Sequence, residues 1–178
     1  NKLKADFIAE MRILAKLRHP CITTVMGGVI SKDVEPMLVM EYMEHRSLSE
    51  LLQNRTFELD GSVLLNILRD ISQGIRFLHA ADPIVIHGDL KAQNILVDRK
   101  FRAKVADFGL SQKHRLGATG TVFFMAPELL RRQATNSAET DIYSYGMILF
   151  EVYERRDPYE GEDVQQVLKD IIDPEICR

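Results

Sequence analysis

Short apolar runs broken at fixed intervals by polar residues mark residues 87–109, HGDLKAQNILVDRKFRAKVADFG. The pattern predicts two strands, Ile95-Leu96-Val97 and Ala103-Lys104-Val105, joined by a turn around Asp98-Arg99-Lys100. Such a hairpin brings the loop before it and the loop after it to one end. Asp89, Asn94 and Asp107 then converge, although the outer two are far apart in the sequence. Upstream, residues 5–18 read as a helix, with Phe7, Met11 and Leu14 on one face and Ile13 and Leu17 on a related one. His19-Pro20 stops it, because the residue before proline avoids the helical region. Residues 22–30 and 37–40 read as strands on either side of a turn at Ser31-Lys32-Asp33. Ser47-Leu48-Ser49-Glu50 has the form of a capping box opening a short helix. The clearest amphipathic helix is 62–80, where Leu64, Leu68, Ile71, Ile75 and Leu78 recur at helical spacing. Gly74 inside it costs about 1 kcal/mol against alanine, which points to close packing there. Residues 138–153 are apolar on nearly every side, as expected of a buried helix, and Val164, Val167, Leu168 and Ile171 mark one more amphipathic helix.

Composition narrows the class without naming a function. At 178 residues the chain suffices for one domain with a substantial core, and it has no internal repeat or low-complexity linker. Hydrophobic residues at 46% and charged residues at 28% describe an ordinary globular protein. A net charge of −3 gives no sign of nucleic-acid binding. Cys21 and Cys177 lie at opposite ends with no spacing motif, so reduced thiols are expected rather than a disulfide or metal site. No apolar run approaches the ~20 residues that span a bilayer, and no signal-peptide pattern opens the sequence. A cytoplasmic setting is expected, or the cytoplasmic side of a membrane-anchored parent.

The converging polar residues suit phosphoryl transfer. Two oxygen ligands among them can hold a hard cation on a polyphosphate, which prefers such donors. A third group, a carboxylate, can orient an incoming hydroxyl and accept its proton, while a lysine offsets charge on the transferring group.

This stretch closely resembles the catalytic loop and metal-binding tripeptide of the protein kinase family. A lone Asp-Phe-Gly would be weak evidence; Asp89, Asn94 and Asp107 in order with a hairpin between them are far more specific. The resemblance extends over essentially all of the chain. It implies an α+β, two-lobed kinase-like fold: a small-lobe remnant at 1–40 with its C-helix and late strands, a hinge at 41–46, and a mainly helical large lobe at 47–178. By resemblance Asp89 is the catalytic base, Lys91 the γ-phosphate contact, Asn94 a metal ligand and Asp107 the other. Glu10 takes the place of the glutamate that pairs with the ATP-binding lysine. Met40 is the gatekeeper behind the adenine pocket, Glu41 and Met43 offer backbone groups to the adenine edge, and Leu96 is grouped with these ATP-binding residues. His87, Phe108 and Asp141 are structural anchors, Asp141 holding the backbone of the catalytic loop. Residues 110–128 match an activation segment, with Ser111, Thr119 and Thr121 as candidate phosphorylation sites and Glu128 closing the motif. Lys91 together with Thr121 resembles the serine/threonine-directed branch, and EYMEHRSLSELL fits a tyrosine-kinase-like member of it.

Two departures stand out. Gly88 replaces the arginine that usually precedes the catalytic aspartate, so a phosphate on the activation segment loses its bidentate partner. Arg46 stands where a glycine often follows the hinge, implying a narrower, more basic pocket mouth. The chain also reads as a fragment, without the glycine-rich loop and ATP-binding lysine upstream and without the last helices downstream. The function implied is an ATP- and Mg²⁺-dependent (or Mn²⁺-dependent) serine/threonine protein kinase, with a protein substrate and regulatory domains on the same parent chain. The alternative is a regulatory kinase-homology module such as those of membrane guanylate cyclases, although those usually alter the catalytic aspartate.

Overall fold

The computed structural model describes residue 11 and residues 16–31, 37–107, 121–173 and 175. The helix expected at 5–18 lies largely outside this set; Met11 is helical, and residues 16–20 are a turn and irregular chain.

The first ribbon is β1 (Val25–Val29) paired antiparallel with β2 (Met37–Met40), with a register irregularity between Val25 and Gly27. The strand expected at 22–30 is therefore shorter. Residues 21–23 instead turn to the second ribbon. Thr23 N–H donates to the Val105 carbonyl (3.0 Å) and Val105 N–H to the Cys21 carbonyl (2.9 Å), giving a parallel bridge at Ile22 and Val105. That second ribbon is β3 (Ile95–Val97) with β4 (Ala103–Val105), antiparallel and in register as Ile95 with Val105, Leu96 with Lys104, and Val97 with Ala103. The side-chain period of two puts Ile95, Val97, Ala103 and Val105 inward and leaves Leu96 and Lys104 half-buried on the other face.

Helix α1 (Leu48–Gln53) begins at Ser47, whose hydroxyl oxygen accepts the Glu50 N–H at 3.2 Å. Half of the expected capping box forms. The Glu50 carboxylate takes the Ser47 hydroxyl proton (3.1 Å) rather than reaching the Ser47 backbone. Helix α2 (Gly61–His79) is capped by Asp60, which accepts from the Ser62 and Val63 N–H groups. Its apolar stripe, Ile67, Leu68, Ile71, Ile75 and Leu78, packs with Leu48, Leu51, Val97, Val105 and Ile148 into one core. Gly74 faces this contact: a Cβ there would stand 2.7 Å from the Cys21 carbonyl oxygen and 2.8 Å from a Val105 methyl. The helix accepts a poor helix former because the chain entering β1 crosses directly over it.

After β4 come a short 3₁₀ turn, Thr121–Phe124, then α3 (Pro127–Leu130), α4 (Ala138–Glu154) and α5 (Val164–Ile172). A full capping box between Ser137 and Thr140 starts α4, and Arg155 in the left-handed region ends it. The expectation that α4 is buried on nearly every side needs correcting. Ile142 and Tyr153 are 56% and 84% exposed, while Thr140, Asp141, Ser144 and Glu151 are buried. The inward face is chosen by hydrogen bonding as well as by hydrophobicity. Ser144 donates to the Phe124 carbonyl at 2.7 Å and thereby ties the 3₁₀ turn to the helix. Among the described residues no helix is long and apolar enough to cross a membrane.

Candidate active site

The loop between α2 and β3 is shaped by one carboxylate from α4. Asp141 is 1% exposed, and its two oxygens accept the backbone N–H groups of His87 (2.9 Å) and Gly88 (2.8 Å). His79, at the last residue of α2, also bonds Asp141 through Nε2 at 2.8 Å. Three segments thus meet on a single side chain. Gly88 has φ +74°, a conformation that glycine enters without steric cost. A Cβ there would stand 2.5 Å from the Asn136 amide nitrogen, so the space beside Gly88 is already taken.

His87 fastens the loop to the ribbon. It is fully buried, its Nδ1 accepts the Asp89 N–H (3.2 Å), and its Nε2 reaches the Ala106 carbonyl (2.9 Å). Since Nδ1 accepts, Nε2 carries the proton and donates to Ala106; the ring is the neutral tautomer. Burial pushes its pKa below the ordinary histidine value, against the pull of Asp141 and the Ala106 carbonyl. Asp89 and Ala106 are in this way held through one imidazole, and Ala106 immediately precedes Asp107.

Around Asp89 the polar groups close in. Its carboxylate, 5% exposed, lies 3.2 Å from the Lys91 ammonium and 3.1 Å from the Asn94 amide nitrogen. That same Asn94 nitrogen donates to the Asp89 carbonyl at 2.8 Å. With its NH₂ turned toward Asp89, the Asn94 amide presents its oxygen to the opposite side. The Asn94 carbonyl accepts the Ala106 N–H (2.9 Å), which brings the backbone before Asp107 to the turn Ala92–Asn94. Asp107 itself has φ +57°, a left-handed conformation costing a non-glycine residue about 1–3 kcal/mol. Aspartate is among the residues that tolerate it best, and such strain tends to gather at functional positions.

The donor set fits a cation held jointly with phosphate. Among the described residues no cluster of three or more His, Cys, Asp or Glu side chains is poised to bind a metal. One amide oxygen and one carboxylate suit a hard ion that takes its remaining ligands from phosphates and water.

The hinge candidates lie beside the ribbon. Met40 ends β2 opposite Val25, and Met43 is buried, its carbonyl accepting the Arg46 N–H at 3.0 Å. The Glu41 N–H donates to the Thr24 carbonyl (3.1 Å), so this backbone donor is engaged within the protein. Leu96 sits at the centre of β3. His45 N–H donates to the Val97 carbonyl and Val97 N–H to the Arg46 carbonyl, docking the hinge's end onto β3. Arg46 has φ +57°, and its guanidinium leans onto Glu50 of α1 at 3.3 Å. Its charge is therefore partly offset by the neighbouring helix.

Glu10, Phe108, Ser111 and Thr119 lie outside the described residues, as does the Thr121 side chain; Thr121 opens the 3₁₀ turn, and Glu128 is half-buried in α3. Sequence reasoning passed over three polar groups with defined partners. Asp70 accepts both forks of Arg102 (2.7 Å each) and the Ala103 N–H (3.1 Å). His79 shares Asp141, and Lys104 pairs with Glu41. A signal existed for Asp70, an acid placed within the apolar stripe of α2. For the other two the partners are distant in sequence, and no local pattern marks them.

The ribbon, flanked by the Asp89-Lys91-Asn94 loop and a left-handed Asp107, has its inward side chains in one core with the long helices α2 and α4. The protein kinase domain family matches residues 1–178, and the chain belongs to that family. It is 38% identical over 174 residues to the probable serine/threonine-protein kinase drkD of Dictyostelium discoideum, covering 96% of this chain and 13% of that protein. With drkB of the same organism it shares 39% identity over 173 residues, 94% of this chain and 24% of the relative. With the serine/threonine-protein kinase CTR1 of Arabidopsis thaliana it shares 36% over 171 residues, 92% and 21% respectively. The chain therefore spans less than a quarter of the length of these curated relatives. Membership of the family implies ATP, a divalent metal and a protein substrate.

Proposed function

We propose that the chain is the catalytic part of an ATP- and Mg²⁺-dependent protein kinase that phosphorylates serine or threonine side chains. The observation that carries this reading is the buried Asp89 carboxylate, held between Lys91 and Asn94 on a loop braced by Asp141 and His87. In the assignment of roles, Asp89 orients the substrate hydroxyl and accepts its proton as the hydroxyl oxygen bonds to the γ-phosphorus. The bond from that phosphorus to the β–γ bridging oxygen breaks, and ADP is the leaving group. Lys91, 3.2 Å from Asp89, offsets negative charge on the phosphoryl in flight. Bound Mg²⁺ neutralises the polyphosphate; the Asn94 amide oxygen and the Asp107 carboxylate are the protein ligands assigned to it, and Mn²⁺ suits the same donors.

The serine/threonine direction is supported by Lys91 in the catalytic loop and by relatives named as serine/threonine kinases. Residues 1–40 are assigned to the small lobe, 41–46 to the hinge and 47–178 to the large lobe. Regulatory domains elsewhere on a parent chain, and a cytoplasmic place of action, belong to the same proposal. Gly88, already packed by Asn136, offers no cation to an activation-segment phosphate, so control through that contact is not part of it.

The test is Asp89→Asn in the intact protein, followed by phosphate transfer to a generic serine/threonine substrate. Turnover should fall roughly 10²–10⁴-fold while Mg-nucleotide affinity stays near the parent's. Transfer at the parent's rate would show that Asp89 is not the base.

A further inference from the structure

We infer that Asn136, at the entry to α4, is a positioning residue for Asp89: its side chain fills the space beside the Gly88 Cα and so holds the turn that aims the base. This rests on the phosphate-transfer reading given above.

A glycine enters φ +74° without steric cost, but it enters the ordinary range as easily, so its own backbone does not hold the turn. Contacts from outside must do so. The His87 and Gly88 N–H groups donate to Asp141 at 2.9 and 2.8 Å, which fixes the two peptides leading into Gly88. The peptide leaving it is held by a longer bond, from the Asp89 N–H to His87 Nδ1 at 3.2 Å. Asn136 supplies a contact of another kind. A Cβ at Gly88 would stand 2.5 Å from the Asn136 amide nitrogen, 3.1 Å from its Cγ and 3.6 Å from its Cβ. The whole side chain, and not only its tip, therefore lies along that side of Gly88. The Gly88 Cα has no N–H or oxygen to offer, so the contact acts by shape. A side chain at 88 and the side chain of Asn136 would occupy one space, and the two positions form a matched pair.

The chain around Asn136 is fixed. Ser137 follows it as the N-cap of α4, with the Ser137 N–H donating to Thr140 Oγ1 at 2.9 Å and the Thr140 N–H to Ser137 Oγ at 3.4 Å. Asp141 lies in the first turn of the same helix. One helix start thus presents a carboxylate to the Gly88 N–H and a packed side chain to its Cα. Asp89 comes next in the chain, so a rotation at Gly88 moves the base against the substrate hydroxyl. A misplacement of about 1 Å can cost a reaction up to ~10²-fold. The backbone before Asp107 is tied to the Asn94 carbonyl instead, and the end of the hinge to Val97. Loss of the Asn136 contact should therefore slow transfer without loosening the nucleotide.

The experiment uses the intact protein with Asn136→Ala, Gly88→Ala, the pair together, and Asn136→Leu, which keeps the branched outline of asparagine without its polar atoms. Single-turnover phosphate transfer to a generic serine/threonine substrate, the dissociation constant of Mg-ATP and the melting temperature are read for each. Asn136→Ala should slow transfer about 5–10-fold, with Mg-ATP affinity within about twofold of the parent's. Gly88→Ala should slow it further, through both the left-handed backbone and the collision with Asn136. The double variant should be no slower than Gly88→Ala, because the new methyl group then has room. Asn136→Leu should keep most of the parent's rate. Transfer at the parent's rate in Asn136→Ala, even with a lowered melting temperature, would reduce the contact to a structural one and overturn the inference. So would single effects that simply multiply in the double variant. A parent protein that transfers no phosphate would sink the kinase reading itself, an outcome distinct from an active parent matched by Asn136→Ala.

Discussion

Glu151 shows how one side chain can set a pH dependence for the whole fold. It lies on α4 with 2% of its surface exposed, and one carboxylate oxygen has no hydrogen-bond partner. Burial, reinforced by Asp157 and opposed by a bond from Ser49, pushes its pKa up to about 7. The folded state therefore binds this proton more tightly than the unfolded chain, whose glutamate titrates near 4.3. Below that value the group costs nothing. As pH rises from about 4.5 to 7 the fold progressively loses stability, and above about 7 the loss is complete. Glu151→Gln removes the dependence. Denaturant unfolding should find it nearly level with the parent at pH 4.5 and about 3–4 kcal/mol more stable at pH 8; equal stability at both values would mean the carboxylate is solvated in the fold. From the sequence, Glu151 was one charge in an apolar helix, and its neighbours come from α1 and the chain beyond α4, which no local pattern connects. Asp89, Asn94 and Asp107 were legible for the opposite reason. A hairpin is a local structure, and its ends coincide whatever surrounds it.

At the scale of elements, sequence periodicity placed α2, α4 and both strands of the second ribbon to within a residue or two of where they lie. It failed where an element's fate depends on distant pairing. Ile22 and Thr23 have strand-like composition but pair with β4 rather than continue β1. What seats that ribbon on α2 is not hydrophobic contact alone. Asp70, 3% exposed in the middle of α2, receives the Arg102 guanidinium on two bonds and the Ala103 N–H on a third. The Asp70 bonds hold the Arg102 guanidinium's pKa above its ordinary value. Because the arginine side chain is half exposed, water can replace its lost partner, whereas the buried Ala103 N–H has no such recourse. Asp70→Ala should therefore cost about 2–3 kcal/mol, and Arg102→Gln less. Thermal unfolding of the two variants decides the order. If Arg102→Gln is the more damaging, the ion pair rather than the backbone bond seats the ribbon.

Across the whole molecule, stability should be uneven in a way that follows from what each ribbon packs against. The second ribbon has its inward side chains in the core with α1, α2 and α4, and Ile95, Val97 and Val105 are fully buried. Among the described residues the first ribbon is two strands wide, and Met26, Val29, Met37 and Val39 are each more than 40% exposed. A two-stranded ribbon is marginal in water unless a face is covered, and this one is covered only in part, by the packing of Val25 and Leu38 on the core and of Met11 on Gly28, so its hydrogen bonds open in local fluctuations rather than in global unfolding. The Thr24–Glu41–Lys104 junction anchors the end of this ribbon at Val25 and Met40. Amide hydrogen exchange on the isolated chain should therefore grade along it. Val29 and Leu38 should exchange fastest, Val25 more slowly, and Val97 and Val105 only at the rate of global unfolding. On Lys104→Met the anchored end should lose its advantage, with Val25 exchanging as fast as Val29 while Val105 is little changed. Uniform protection across both ribbons would mean that the outer one is held by contacts other than this junction, and that the two open as a single unit.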